Sequence, residues 1–156
     1  MTSVEITKKY IPIGLMILFV IVCILFLVFP PNGKLVCNAN GVPGDVEIKY
    51  SYVAEYKWWV VKKLSVKQTI SAKDDEILDN YKKILENDFK LFNNVKSVKS
   101  NIEMIDTSLV GTFNIDYENL NTDGSNNSSS LLKNKNMFVG SLKKRYKKNG
   151  ATCKYN

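Results

Sequence analysis

The sequence predicts an α+β protein: a small antiparallel sheet of about four or five strands, packed by one long and one short helix and preceded by one transmembrane helix. Three observations predict it. Residues 11–29 form an uncharged apolar run, the segments after residue 34 alternate apolar and polar residues with period two, and residues 73–92 repeat apolar residues at helical intervals.

The run IPIGLMILFVIVCILFLVF holds nineteen residues without a charge. At 1.5 Å per residue it would rise about 28 Å, close to the thickness of a bilayer's hydrocarbon core. A cleaved secretory signal has an apolar part of about 7–15 residues and a small-x-small exit. Here the run leaves through Val28-Phe29-Pro30-Pro31-Asn32-Gly33. A lipoprotein signal fits no better, because Cys23 follows Val22 where a small residue belongs, and six apolar residues come after it. The expectation is an uncleaved signal-anchor over residues 11–30, with residues 1–10 as a cytoplasmic tail and residues 31–156 outside. Lys8 and Lys9, just before the run, set that orientation. The expected location is the cell membrane, with a single pass. Pro30-Pro31-Asn32-Gly33 cannot continue a helix and marks the boundary.

Beyond the boundary, Lys34–Ala39 reads as a short strand and Asn40–Gly44 as a reversal. Val46, Ile48, Tyr50 and Tyr52 then alternate with Glu47, Lys49 and Ser51. A turn near Ala54–Lys57 would lead into Trp58–Val61 and on to Leu64, Val66 and Ile70, completing a hairpin with a bulge at Val61-Lys62. Ser71-Ala72-Lys73-Asp74 has the spacing of a capping box. Ile77, Leu78, Tyr81, Ile84, Leu85, Phe89 and Phe92 then mark an amphipathic helix over about Lys73–Phe92. Asn93-Asn94 would end it. Ser100–Ile105 and Leu109–Tyr117 read as strands, the second with Leu109, Gly111, Phe113, Ile115 and Tyr117 on one face. Asn121–Ser130 is a polar low-complexity loop. A last helix over about Met137–Asn149 offers Phe138, Val139, Leu142 and Tyr146 to the core and stops at Gly150. Ala151–Tyr155 is suited to a short terminal strand.

Composition narrows the chemistry. There is no His, which removes the commonest general base and metal ligand. From Pro31 onward the chain holds 20 Lys and Arg against 14 Asp and Glu, a balance of +6, and every one of those cations but Arg145 is Lys. Such a surface attracts anionic lipids and polymers through its field, and it equally serves solubility and strand-edge protection. Cys37 and Cys153 are the two cysteines outside the apolar run, one near each end of the domain. In an oxidising exterior they read as a disulfide, and in a cytoplasmic domain as two buried thiols.

Leu35-Val36-Cys37 at the start, a Lys-rich hairpin, one amphipathic helix, two strands, a short final helix and Thr152-Cys153-Lys154 at the end together resemble the YehR-like lipoprotein domain family of Gram-positive bacteria. The resemblance spans roughly Lys34 to Lys154. It implies an α+β fold on the cell surface and no established biochemical activity. This chain differs in lacking a lipobox and in having a polar loop after Tyr117.

The densest cationic cluster is Lys143, Lys144, Arg145, Lys147 and Lys148 around Tyr146. It is the candidate surface for an anionic lipid or cell-wall polymer. The plainer reading is a helix with Leu142 and Tyr146 inward and solvated lysines opposing the negative end of its dipole. Trp58-Trp59 would form an aromatic platform if exposed, but neighbouring strand residues point to opposite faces, so one is expected in the core. Asp74, Asp75, Glu76 and Asp79 suit a helix start rather than a calcium loop. Glu103, Asp106, Asp116 and Glu118 show no spacing that pairs them. Asn126 and Asn127 fit the glycosylation acceptor pattern. No phosphate loop, nucleotide fingerprint or nucleophile elbow occurs, and no catalytic residue, cofactor, metal or nucleic-acid partner is expected. The functional expectation is a non-enzymatic binding or structural module of the cell surface, with polyanion binding through the basic helix, or service as an accessory subunit of a membrane complex, as alternatives.

Overall fold

The computed structural model describes residues 3–28, 31–41, 44–92, 95–120 and 136–156, with the side chains of the first helix described from Met16 onward. The expected loop Asn121–Ser130, with Asn126 and Asn127, and the expected helix stop at Asn93-Asn94 lie outside the described residues. The chain divides into two compact units, Met1–Pro31 and Asn32–Asn156.

The first unit is the helix α1 (Ser3–Val28). Among the described residues no helix is long and apolar enough to cross a membrane. This corrects the transmembrane span expected over residues 11–30. The described side chains of α1, Met16 to Val28, number thirteen and are all exposed.

The second unit is a six-stranded sheet with two helices. In chain order it runs β1 (Asn32–Gly41), β2 (Val46–Lys57), β3 (Val60–Ala72), α2 (Asp75–Lys90), β4 (Val98–Ile105), β5 (Ser108–Asp116), α3 (Val139–Lys148) and β6 (Thr152–Tyr155). The strand order is β4-β5-β3-β2-β1-β6, and every neighbouring pair is antiparallel. The sheet has six strands where four or five were expected, because the closing segment adds to the free edge of β1.

Alternation along the strands selects the buried face. Leu35 and Cys37 on β1, Val46, Ile48, Ala54 and Tyr56 on β2, Leu64 and Ile70 on β3, and Leu109, Phe113 and Ile115 on β5 are all buried. Both helices press on this one face. Leu78 and Leu85 of α2 join Ile48, Ile70 and Leu109, while Leu142 and Tyr146 of α3 join Leu35, Cys37, Tyr56 and Tyr117. α2 lies close because β5 carries Gly111 beneath it. A Cβ there would stand 3.1 Å from a Leu85 methyl.

The helix ends follow their local chemistry. α2 is capped by Asp74, whose carboxylate accepts the Glu76 N–H at 2.9 Å, in place of the expected Ser71–Asp74 box. α3 ends on Gly150 at φ +84°, where its N–H donates to the Lys147 carbonyl and the Ala151 N–H to that of Tyr146. That pattern satisfies the last helical carbonyls and needs a left-handed residue.

The hairpin differs from expectation in its turn. β2 runs on to Lys57, which pairs with Val60, leaving Trp58-Trp59 as the whole loop. Both tryptophans have positive φ, 51° and 59°. A two-residue loop with positive φ at both positions matches the right-handed twist of the strands and is ordinarily filled by Asn-Gly. Bulky side chains there cost about 1–2 kcal/mol each. The bulge does fall at Val61-Lys62: Val61 pairs with Tyr56 and Lys63 with Glu55, so Lys62 is the extra residue.

Replacing Trp58-Trp59 by Asn-Gly relieves that strain and is expected to stabilise the domain by about 1–3 kcal/mol. The midpoint of denaturant unfolding measures it, and an unchanged or lower midpoint contradicts it.

Candidate functional site

With both helices on one face, the other face of the sheet is left to polar residues. Glu47, Lys49, Ser51 and Glu55 of β2 point to it, as do Lys63, Lys67 and Thr69 of β3 and Thr112, Asn114 and Asp116 of β5, by the same alternation that buries their neighbours. At the end nearest the Trp58-Trp59 turn, this face deepens into a cleft of about 670 Å³. One wall is the turn Val95–Ser97, tied to the sheet where the Asp116 N–H donates to the Ser97 carbonyl at 2.8 Å. Another is the segment after β5, tied by the Tyr117 N–H donating to the Lys62 carbonyl at 2.8 Å.

The cleft is lined by three lysines, Lys63, Lys96 and Lys99, and two carboxylates, Glu55 and Asp116. Register explains the grouping: Lys63 lies opposite Glu55 on one side and Asp116 on the other, and Asn114 lies between Ser65 and Lys99. The carboxylates are already engaged. Glu55 takes the Lys34 ammonium at 2.9 Å, and that bond lowers the pKa of its carboxyl against the opposing effect of burial, with the charges of Lys34 and Lys63 adding to the lowering. Asp116 accepts the Asn119 side-chain amide at 2.8 Å and the Glu118 backbone N–H at 3.0 Å. The Asn119 bond is the main cause of its lowered pKa. Lys96 and Lys99 form no ion pair among the described residues. Ser97, which also lines the cleft, is buried, and its hydroxyl has no hydrogen-bond partner there.

Two carboxylates held ionised are poor general acids, and among the described residues that line the cleft there is no His or Cys to act as base or nucleophile. Among the described residues no group of three or more His, Cys, Asp or Glu is placed to hold a metal. What the arrangement supplies is cation, from Lys96 and Lys99, beside the polar strand residues of the cleft. Cation of this kind attracts an anionic group.

Apart from Asp116, which lines the cleft, the described residues singled out in the sequence fall elsewhere. Cys37 and Cys153 form the disulfide, with S–S 2.06 Å. The basic cluster sits on α3, with Leu142 and Tyr146 buried and Lys144, Arg145, Lys147 and Lys148 exposed. Lys143 is engaged by the fold: it is half-buried, its ammonium lies 3.9 Å from the centre of the Tyr155 ring, and burial, with Lys147 nearby, lowers its pKa. Phe138, expected in the core, is 60% exposed, since it precedes α3 in an extended bridge with Val60. Neither tryptophan is core: Trp58 is 62% and Trp59 37% exposed. Of the four acids considered for pairing, Asp116 and Glu118 are neighbours, while Asp106 sits in the β4–β5 turn at φ 53°. Alternation marked Lys63, Ser65 and Asn114 as outward. Their convergence depends on β3 lying between β2 and β5, which no local pattern announces.

Tyrosines fasten α3 to the sheet. The rings of Tyr146 and Tyr52 stack with centroids 4.1 Å apart, and Tyr56 meets Tyr155 edge-on at 5.9 Å. Burial pushes the Tyr117 phenol up to about 12 and raises Tyr146 well above its usual value. Phenols of the unfolded chain ionise near 10, so between pH 10 and about 12 the fold binds more protons than the unfolded chain. Stability is therefore whole below pH 10 and falls above it. At about 1.4 kcal/mol per pH unit, Tyr117 alone removes about 2–3 kcal/mol by pH 12. Tyrosinate absorbance followed together with circular dichroism tests this: a late class of phenols ionises with loss of structure, and ionisation of all eight near pH 10 contradicts it.

No protein-family model matches the chain, and no curated protein matches it. Two solved structures are similar. The NMR structure of the Escherichia coli YehR protein superposes with a TM-score of 0.52 at 21% identity, covering 78% of this chain and 91% of that one. An NMR structure of a protein from Streptococcus pneumoniae TIGR4 reaches 0.47 at 18% identity over 77% of this chain and 84% of that one. The chain has a YehR-like fold.

Proposed function

We propose that the chain is a non-catalytic binding module that works outside the cytoplasm and takes an anionic group of its ligand in the cleft of the open sheet face. One observation carries the reading: both cleft carboxylates are engaged within the protein, Glu55 by the Lys34 ammonium and Asp116 by the Asn119 amide, while Lys96 and Lys99 have no ion-pair partner among the described residues. The volume, about 670 Å³, is within the range of small-molecule sites. The absence of His from the sequence supports binding over turnover. The disulfide supports an oxidising compartment. Its closed loop is long, with a sequence separation of 116. In the chain-entropy account, closing it contributes about 4–5 kcal/mol that a reducing compartment would forfeit.

Calorimetric titration of the full chain with inorganic phosphate, citrate and short polyphosphate tests the site. Binding is expected for at least one probe, weakening with salt and falling about tenfold or more in Lys96→Glu/Lys99→Glu with the fold retained. No binding, or binding unaffected by the charge reversal, overturns the reading. So does turnover in a hydrolase or transferase screen that is lost in Asp116→Asn.

Location is tested on intact cells with a membrane-impermeant thiol reagent. Cys37 and Cys153 are expected to label only after reduction by an impermeant reductant. Protection until the cells are opened overturns the placement outside.

A further inference from the structure

The Trp58-Trp59 turn is the least economical feature of the domain. Asn-Gly would fit its backbone without strain, yet the two largest side chains occupy it at positive φ and stand 62% and 37% exposed. The surroundings hold the turn in place. The Trp58 N–H donates to the Asn32 side-chain oxygen at 2.9 Å, and the Trp59 carbonyl accepts the Val139 N–H at 2.8 Å. Phe138, bridged to Val60 one residue beyond the turn, adds a third aromatic, 60% exposed. Strain retained to present aromatic surface to solvent points to a surface that receives it.

The charges beside these aromatics indicate which surface. Residues 57–60 and 136–148 contain six cations, Lys57, Lys143, Lys144, Arg145, Lys147 and Lys148, and no Asp or Glu. α3 starts at Val139, directly against Trp59, so the basic helix leads away from the aromatic tip. Tryptophan and phenylalanine at a tip, carried on segments whose charged residues are all cations, match the headgroup layer of an anionic bilayer. Indole rings settle at that depth, and each nearby Lys gains from the negative surface potential.

We propose that Trp58, Trp59 and Phe138 form an aromatic wedge that docks the domain on an anionic lipid surface, with the outer lysines of α3 as its electrostatic flank. The wedge is separate from the cleft and stands or falls independently of it.

Trp58 and Trp59 are the only tryptophans in the chain, so intrinsic emission reports on the wedge alone, whatever else associates with a vesicle. The full chain is mixed with vesicles of phosphatidylcholine, with and without phosphatidylglycerol. The expected result is a blue shift and protection from aqueous quencher on the anionic vesicles, with apparent affinity falling severalfold between low and physiological salt. Phe138→Ser is expected to weaken the partition about tenfold. Lys144→Glu/Lys147→Glu/Lys148→Glu is expected to abolish its salt dependence. Circular dichroism confirms that each variant is folded. Emission that vesicles leave unchanged overturns the proposal, and so does an equal shift on neutral and anionic vesicles. A shift with soluble teichoic acid but not with vesicles replaces the lipid by a polymer and overturns it as well.

Discussion

Cys37 and Cys153 face each other across β1 and β6, and most of the domain's architecture depends on that pairing. Lys34 and Asn156 exchange both backbone hydrogen bonds. Counting three residues along each strand places the two cysteines at a pair without hydrogen bonds, where opposed side chains come closest in an antiparallel ladder. Their Cα atoms are 4.1 Å apart. The bond turns β1 from an edge into an interior strand and joins the two ends of the domain. It also holds β6, and through β6 the C-terminal end of α3. Tyr155 on β6 then meets Tyr56 and the Lys143 ammonium, so the covalent link extends into aromatic packing within a few residues.

The second constraint is that both helices bury the same face. α2 and α3 are polar on their outer sides and have one apolar side each to hide, and the period-two strands have one apolar face to receive them. The other face carries mostly polar residues. Where the Val95–Ser97 turn and the segment after Asp116 rise at its end, that face becomes a cleft. Its charge character comes from internal pairing. Lys34 pairs with Glu55 and the Asn119 amide hydrogen-bonds Asp116, which leaves Lys96 and Lys99 without an ion pair among the described residues.

At the tip of the β2–β3 hairpin, stability and presentation oppose each other. Strand twist asks for small residues at positive φ, and the chain supplies two indoles. Bonds from Asn32 and Val139 hold the turn from both sides. The tip is thus defined by contacts between segments far apart in the chain rather than by its own preference.

What the sequence determined by itself had a local cause. Apolar alternation in Val46–Tyr52 and Leu109–Tyr117 and the helical repeat from Ile77 to Phe92 identify the elements and their buried sides, because burial acts on each residue according to the period of its own segment. Gly150 ended α3 for the same kind of reason, and the placing of two cysteines near the domain ends foretold the bridge. The tertiary structure alone decided the rest. Trp58 and Trp59 look like strand residues until the β2–β3 register places both in the turn. Phe138 fits the apolar repeat of α3 until its bridge to Val60 turns it outward. Glu55, Lys63, Asp116 and Lys99 become neighbours only through the order β4-β5-β3-β2. Contacts between distant segments depend on register and strand order, and these are settled by the packing of the whole domain rather than by the chemistry of any one segment.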